Sequence, residues 1–159
     1  MDKKKLVETI RTQLEADLRQ AREAARATYE AATHEESKPE NEYDTRGLEA
    51  SYLAGAQAKR IAEIEELLVI FKHLQVKDFG PDDKINSTAL VEVSSQNKKY
   101  VFFVLAKGGG VSVTFEGQKI QTITPKTPLG EALQDLSVGD VAIVENGDQV
   151  REYEILQIW

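Results

Sequence analysis

Apolar positions in the first half of the chain recur at helical spacing. Leu6, Ile10, Leu14, Leu18, Ala21, Ala25, Thr28 and Ala32 step by three or four residues, which puts them on one stripe of a helix. Ala50, Ala54, Ala58, Ile61, Ile64, Leu68 and Phe71 form a second stripe with the spacing of a coiled-coil seam. His34 to Tyr43 interrupts the pattern with polar residues and Pro39, which disfavours helix in the residue before it. Two helices folded about this break are predicted as an antiparallel hairpin. Each arm of roughly 30 residues would be about 45 Å long at a rise of about 1.5 Å per residue. Folding about the break sets Leu6 opposite Phe71, Leu14 opposite Ile64, and Ala25 beside Tyr52. The hairpin is then bulky at its base and slim toward its tip, because small seam residues let helices approach closely.

Past residue 80 the period changes to that of strands. Ala89 to Val93, Lys99 to Leu105, Val111 to Phe115, Lys119 to Ile123, Val141 to Val144 and Val150 to Ile158 are short β-branched and aromatic runs. Glu116-Gly117 reads as a turn between two of them, and the triple glycine at 108 to 110 reads as a hairpin turn. Thr127 to Leu133 predicts one short helix, with Thr127 as N-cap and Pro128 at the first helical position. The expected fold is α+β in two domains: a helical hairpin over 1–76 with its tip at 34–44, a linker over 77–84, and an antiparallel sheet with one short helix over 85–159.

Composition narrows the chemistry. The chain has no cysteine, which removes disulfides, thiolate metal sites and cysteine nucleophiles together and makes a cytoplasmic protein the simplest reading. Its apolar runs are too short to span a bilayer, and no membrane association is expected. The net charge of −7 argues against independent DNA binding through a basic face and favours a basic partner. His34 and His73 are the only histidines, with no spacing that suits zinc or a nucleophile's base.

One cluster remains. Glu35, Glu36, Glu40, Glu42 and Asp44 against Lys38 give a net −4 over the eleven residues 34–44. A solvated polar loop with some carboxylates at a helix N-terminus accounts for such a cluster. Carboxylates are also hard oxygen ligands for Mg²⁺, which too few of them hold unless other ligands complete the octahedron. Charge alone leaves both readings open.

The layout and several motifs resemble the Gre family of bacterial transcript-cleavage factors across nearly the whole chain. Glu40-Asn41-Glu42-Tyr43-Asp44 resembles the family's Glu-Asn and Glu-Tyr pairs at the start of its second helix. Thr127-Pro128-Leu129-Gly130-Glu131-Ala132-Leu133, Val138-Gly139-Asp140 and Glu152-Tyr153-Glu154-Ile155 resemble its C-terminal helix and closing strands. The resemblance implies an FKBP-like C-terminal domain that docks on bacterial RNA polymerase, and a coiled coil that enters the secondary channel. It also implies that tip carboxylates help hold a Mg²⁺ shared with the polymerase active site, where backtracked RNA is cut; the protein meets the RNA 3′ end only indirectly and is itself no enzyme. Ser37 stands where the family has Asp, and one residue between Asn and Glu-Tyr is missing here. Glu40 is thus carried over directly and Glu36 is the first stand-in for the second ligand, with Glu35, Glu42 and Asp44 behind them.

Three rivals follow. A secondary-channel regulator or inhibitor that does not promote cleavage keeps the same binding site. A prolyl isomerase or chaperone module needs an aromatic-lined concave pocket, against which the few aromatics argue. A coiled-coil adaptor would use the seam to oligomerise, whereas equal arms about a central proline favour an intramolecular hairpin.

Overall fold

The computed structural model describes residues 1–34, 40 and 46–159. They form two compact units, one of residues 11–72 and one that joins residues 1–10 to 73–159. Helix α1 (Lys3–Thr33) and helix α2 (Arg46–His73) are followed by six strands with one short helix among them, the hairpin-then-sheet order expected from the pattern. Asp2 caps α1: its Oδ1 accepts from the amides of Lys4 at 3.0 Å and Lys5 at 3.1 Å.

Within the first unit the two stripes face each other. Leu14 and Ile64 are buried, and Leu18, Ala21, Ala25, Thr28, Ile61 and Leu68 are half-buried. The register differs from symmetric folding about the break. Arg22 Nη2 meets Glu65 Oε1 at 2.7 Å, and Gln57 Nε2 donates to Thr28 Oγ1 at 3.0 Å. Ala25 therefore shares a groove with Ala58 and Ile61 rather than standing beside Tyr52, a displacement of roughly two helical turns. Gln57 takes the seam place expected of Ala58, which is exposed along with Ala54. Thr28 satisfies the Gln57 Nε2, while the Gln57 Oε1 is buried with no hydrogen-bond partner among the described residues.

The second unit contains β1 (Leu90–Ser95), β2 (Lys98–Val104), β3 (Ser112–Phe115), β4 (Gln118–Ile123), α3 (Pro128–Ala132), β5 (Val141–Asn146) and β6 (Gln149–Ile158). The sheet order is β3-β4-β2-β1-β6-β5. Every pairing is antiparallel except β2 with β4, which is parallel. The triple glycine is thus no hairpin turn, because β2 is followed in space by β4 rather than β3. Gly108 and Gly110 take φ of 91° and 86° as the chain crosses over, and Thr122 holds the crossing: its Oγ1 accepts from Val111 N at 2.9 Å and donates to Gly108 O at 2.8 Å. Glu116 and Gly117, with φ of 48° and 76°, form the expected tight turn between β3 and β4.

Alternation gives the sheet two faces. On one, Val91, Val93, Phe102, Val104, Ile123, Tyr153 and Ile155 pack with Ile85 and Leu133 into the main core. On the other, Leu90, Val101, Phe103 and Ile120 are buried. Helix α3 is fixed by its cap. Thr127 Oγ1 accepts from Gly130 N at 3.1 Å and donates to Thr124 O at 2.9 Å. A Cβ at Gly130 would collide with the Thr124 carbonyl, so this close approach requires glycine.

Lys3 ties the start of α1 into this unit. Its ammonium donates to the backbone oxygens of Lys77, of Thr88 at 2.9 Å and of Trp159 at 2.8 Å, and it stands 4.6 Å from the Phe79 ring centroid. Burial lowers its pKa from 10.5 to about 8, while attraction to Asp78 opposes the fall. No helix among the described residues is long and apolar enough to cross a membrane.

Candidate functional site

Two places carry the residues singled out by the sequence. The first is the loop end of the hairpin. Helix α1 ends at Thr33 and α2 begins at Arg46, so the acidic segment connects the two helices. Glu40 is exposed, and its Oε1 lies 3.5 Å from Arg46 Nη2. That exposed pair contributes little to stability. Glu35, Glu36, Ser37, Glu42 and Asp44 lie outside the described residues. Among the described residues no group of three or more His, Cys, Asp or Glu side chains is gathered as a metal site. Glu40 suits a hard cation by its chemistry, being an exposed carboxylate, and Arg46 is one cation that competes for it. The rest of a coordination shell would come from other donors.

The second place is a groove of about 850 Å³ on the α3 side of the sheet. Tyr100, Phe102 and Tyr153 form its aromatic floor, Pro128 and Leu129 its α3 wall, and Arg151 lies at its edge. Tyr100 and Phe102 stack with ring centroids 6.3 Å apart and planes inclined by 18°. The Tyr153 side chain beside Arg151 raises the arginine pKa above its ordinary value. Few aromatics in the chain argue against such a pocket, yet three of them meet here. The available signal was the two-residue spacing of Tyr100 and Phe102 on β2, which sends both rings to one face. Register then sets Val93 opposite both Tyr100 and Ile155, so Tyr153, two residues before Ile155 on the distant β6, comes to the same face. Thr127, Pro128, Leu129 and Tyr153, all within the family-like motifs, line this one groove.

Together these features define a class: a two-helix hairpin with an acidic connecting segment, joined to a mixed sheet module bearing an aromatic groove. No protein-family model and no curated protein matches the chain. Among solved structures it is similar to the GreA factor homolog Gfh1 of Thermus thermophilus, at 20% identity over 94% of both chains with a TM-score of 0.38. Thermus aquaticus Gfh1 is 21% identical over 95% of this chain and 94% of that one, with a TM-score of 0.40. A prokaryotic transcription elongation factor GreA/GreB from Nitrosomonas europaea is 16% identical over 69% of this chain and 90% of that one, with a TM-score of 0.37. Likeness at these levels leaves function to be argued from the residues.

Proposed function

We propose that this chain is a Gre-like transcription factor that binds bacterial RNA polymerase at its secondary channel and stimulates the polymerase's own cleavage of backtracked RNA. The observation that carries the reading is the convergence of Thr127, Pro128, Leu129 and Tyr153 on one aromatic groove. Thr127, Pro128 and Leu129 thus share one surface, as docking residues should, while Leu133, Tyr153 and Ile155 of the same motifs anchor that surface to the core. The acidic segment supports the rest of the reading, since it joins the ends of two helices whose seam narrows to small residues such as Ala25 and Ala50.

In this reading the sheet module docks and the hairpin delivers Glu36 and Glu40 to the polymerase's active centre. Those two carboxylates would help hold a Mg²⁺ shared with the polymerase, with Glu35, Glu42 and Asp44 as further acidic neighbours. When bound, such an ion supplies Lewis-acid activation of water or stabilisation of the leaving oxygen. The chain contributes donors and position; the polymerase contributes the rest of the site, so the chain is a cofactor protein rather than an enzyme. A non-cleaving regulator is the second reading, favoured by Ser37 in place of the family's Asp and by the Arg46 contact on Glu40.

Binding tests the docking half. Labelled full-length chain titrated with bacterial core polymerase should give saturable binding, and Tyr100→Ala combined with Leu129→Ala should weaken it by at least about tenfold, as loss of central apolar anchors does. Retention of full affinity in that variant would remove the groove from the account.

A further inference from the structure

Strand β5 is an edge of the sheet and, among the described residues, pairs with β6 alone. Every second residue of an edge strand turns its N–H and C=O outward, and natural edges are usually guarded by Lys, Pro or a bulge. This edge has none of these guards, and helix α3 packs on one face of the strand, where Ala142 meets Leu133 in the core. It reads Val141-Ala142-Ile143-Val144-Glu145-Asn146 and pairs with β6 without a register shift.

The face of this ribbon opposite the aromatic groove is equally unusual. Register sets Val141 opposite Glu154, Ile143 opposite Glu152 and Glu145 opposite Val150, so these six side chains share one face. All are exposed; the three apolar ones are 46%, 55% and 60% exposed at Val141, Ile143 and Val150. Farther along the same face Val101, Phe103 and Ile120 are buried, which makes the β5–β6 end its open part. The patch carries three carboxylates and no base. Lys99, on the same face of β2, is engaged by Glu92 at 2.9 Å, and Arg151 belongs to the other face, opposite Val144.

We infer that β5 and the exposed face of the β5–β6 ribbon form a docking site for an extended basic segment of a partner protein, one that adds a strand at the β5 edge and alternates Lys or Arg with aliphatic residues on its outward face. The free edge supplies the backbone bonds, Val141 and Ile143 the apolar contact, and Glu145, Glu152 and Glu154 the charge selection. Strands are spaced about 4.8 Å apart, so Glu152 and Glu154 on β6 lie about two spacings from an added strand. Extended lysine or arginine side chains span that gap, whereas shorter polar ones do not. A second copy of this chain is disfavoured as the occupant, because pairing β5 with β5 would set the acids of both copies together in a protein of net charge −7. The site lies on the face away from the aromatic groove, and the inference does not depend on polymerase binding.

The test uses isotope-labelled full-length protein and a blocked nonapeptide, Lys-Thr-Val-Thr-Lys-Thr-Val-Thr-Lys, with Glu replacing every Lys in the control. Expected are amide shifts concentrated in residues 141–146 and 149–154, slowed hydrogen exchange along β5, and affinity that falls as salt rises. Glu152→Gln with Glu154→Gln, and separately Ile143→Thr, should each weaken binding by at least about fivefold. Both variants alter only exposed positions, so the fold is retained; an unchanged spectrum elsewhere verifies this. The inference is overturned if the basic peptide causes no shifts, if its shifts centre on Phe102 and Leu129 in the groove, or if the acidic peptide binds equally well. It is also overturned if sedimentation shows two copies pairing in a way that Ile143→Thr abolishes.

Discussion

Replacing Lys3 with Met keeps the length of a buried side chain but removes its charge and its donors. Two opposed terms meet there. The ammonium satisfies the Lys77 and Thr88 carbonyls, while the Trp159 oxygen also accepts from Leu90 N at 3.1 Å. Stranding two partly buried acceptors costs about 2–4 kcal/mol at roughly 1–2 kcal/mol each. Against this, burial of the charge lowers the pKa from 10.5 to about 8. At about 1.4 kcal/mol for each tenfold in proton affinity, that fall bounds the charge penalty at about 3.5 kcal/mol, and residual solvent screening lowers it further. The sign follows from proton counting. Between pH 8 and 10.5 the unfolded chain holds a proton at Lys3 that the folded chain has released, so this residue's contribution to stability rises with pH across the window. At neutral pH the two terms nearly cancel, and Lys3→Met should change stability by no more than about 2 kcal/mol; by pH 10.5 the parent should lead by about 2–4 kcal/mol. Urea melts of both proteins at several pH values provide the measurement, and taking the difference removes the other titrating groups. A gap that stays constant or shrinks as pH rises from 8 to 10.5 would refute the reasoning.

Two further predictions concern the seam and the helix α3 junction. Leu14→Ala or Ile64→Ala should each destabilise by about 2–5 kcal/mol, whereas Glu40→Ala should cost less than about 0.5 kcal/mol; a melt in which Glu40→Ala matched Leu14→Ala would make the acidic segment structural. Thr127→Val should cost about 1 kcal/mol through loss of the cap, and Gly130→Ala should cost more because its methyl meets the Thr124 backbone; equal stability of Gly130→Ala and the parent in chemical denaturation would contradict the packing at α3.

The helices, the strands and the α3 cap were legible because each rests on a local repeat or a local side-chain bond. The hairpin register was not. Alanines recur along both arms and pack acceptably at several offsets, so the choice falls to particular cross-links such as Thr28 with Gln57, which a hydrophobic pattern does not record. The parallel pairing of β2 with β4 was hidden for a related reason: a glycine run permits a hairpin or a crossover, and the Thr122 bonds that distinguish them come from residues farther along the chain. Lys3 stands three residues before Leu6 and so extends the apolar stripe backward by a turn, but its place in the basic run Lys3-Lys4-Lys5 gives no local sign of the backbone oxygens that receive it. At the candidate site, the acidic segment was visible as composition and the α3 motif as a resemblance. The aromatic groove was visible as neither, since Tyr153 joins Tyr100 and Phe102 only through the pairing of β6 with β1 and of β1 with β2.

The most direct measurement follows the RNA 3′ end in a stalled, backtracked complex of bacterial RNA polymerase, with the full chain added across a range of Mg²⁺ concentrations. Release of short 3′ fragments is the predicted result. Glu36→Gln with Glu40→Gln should slow it by at least about tenfold, equivalent to roughly 1.4 kcal/mol of transition-state stabilisation, while polymerase affinity changes little. Slower nucleotide addition without fragments would replace cleavage with the regulator reading, and a chain that neither binds polymerase nor alters transcription would contradict the proposed function outright.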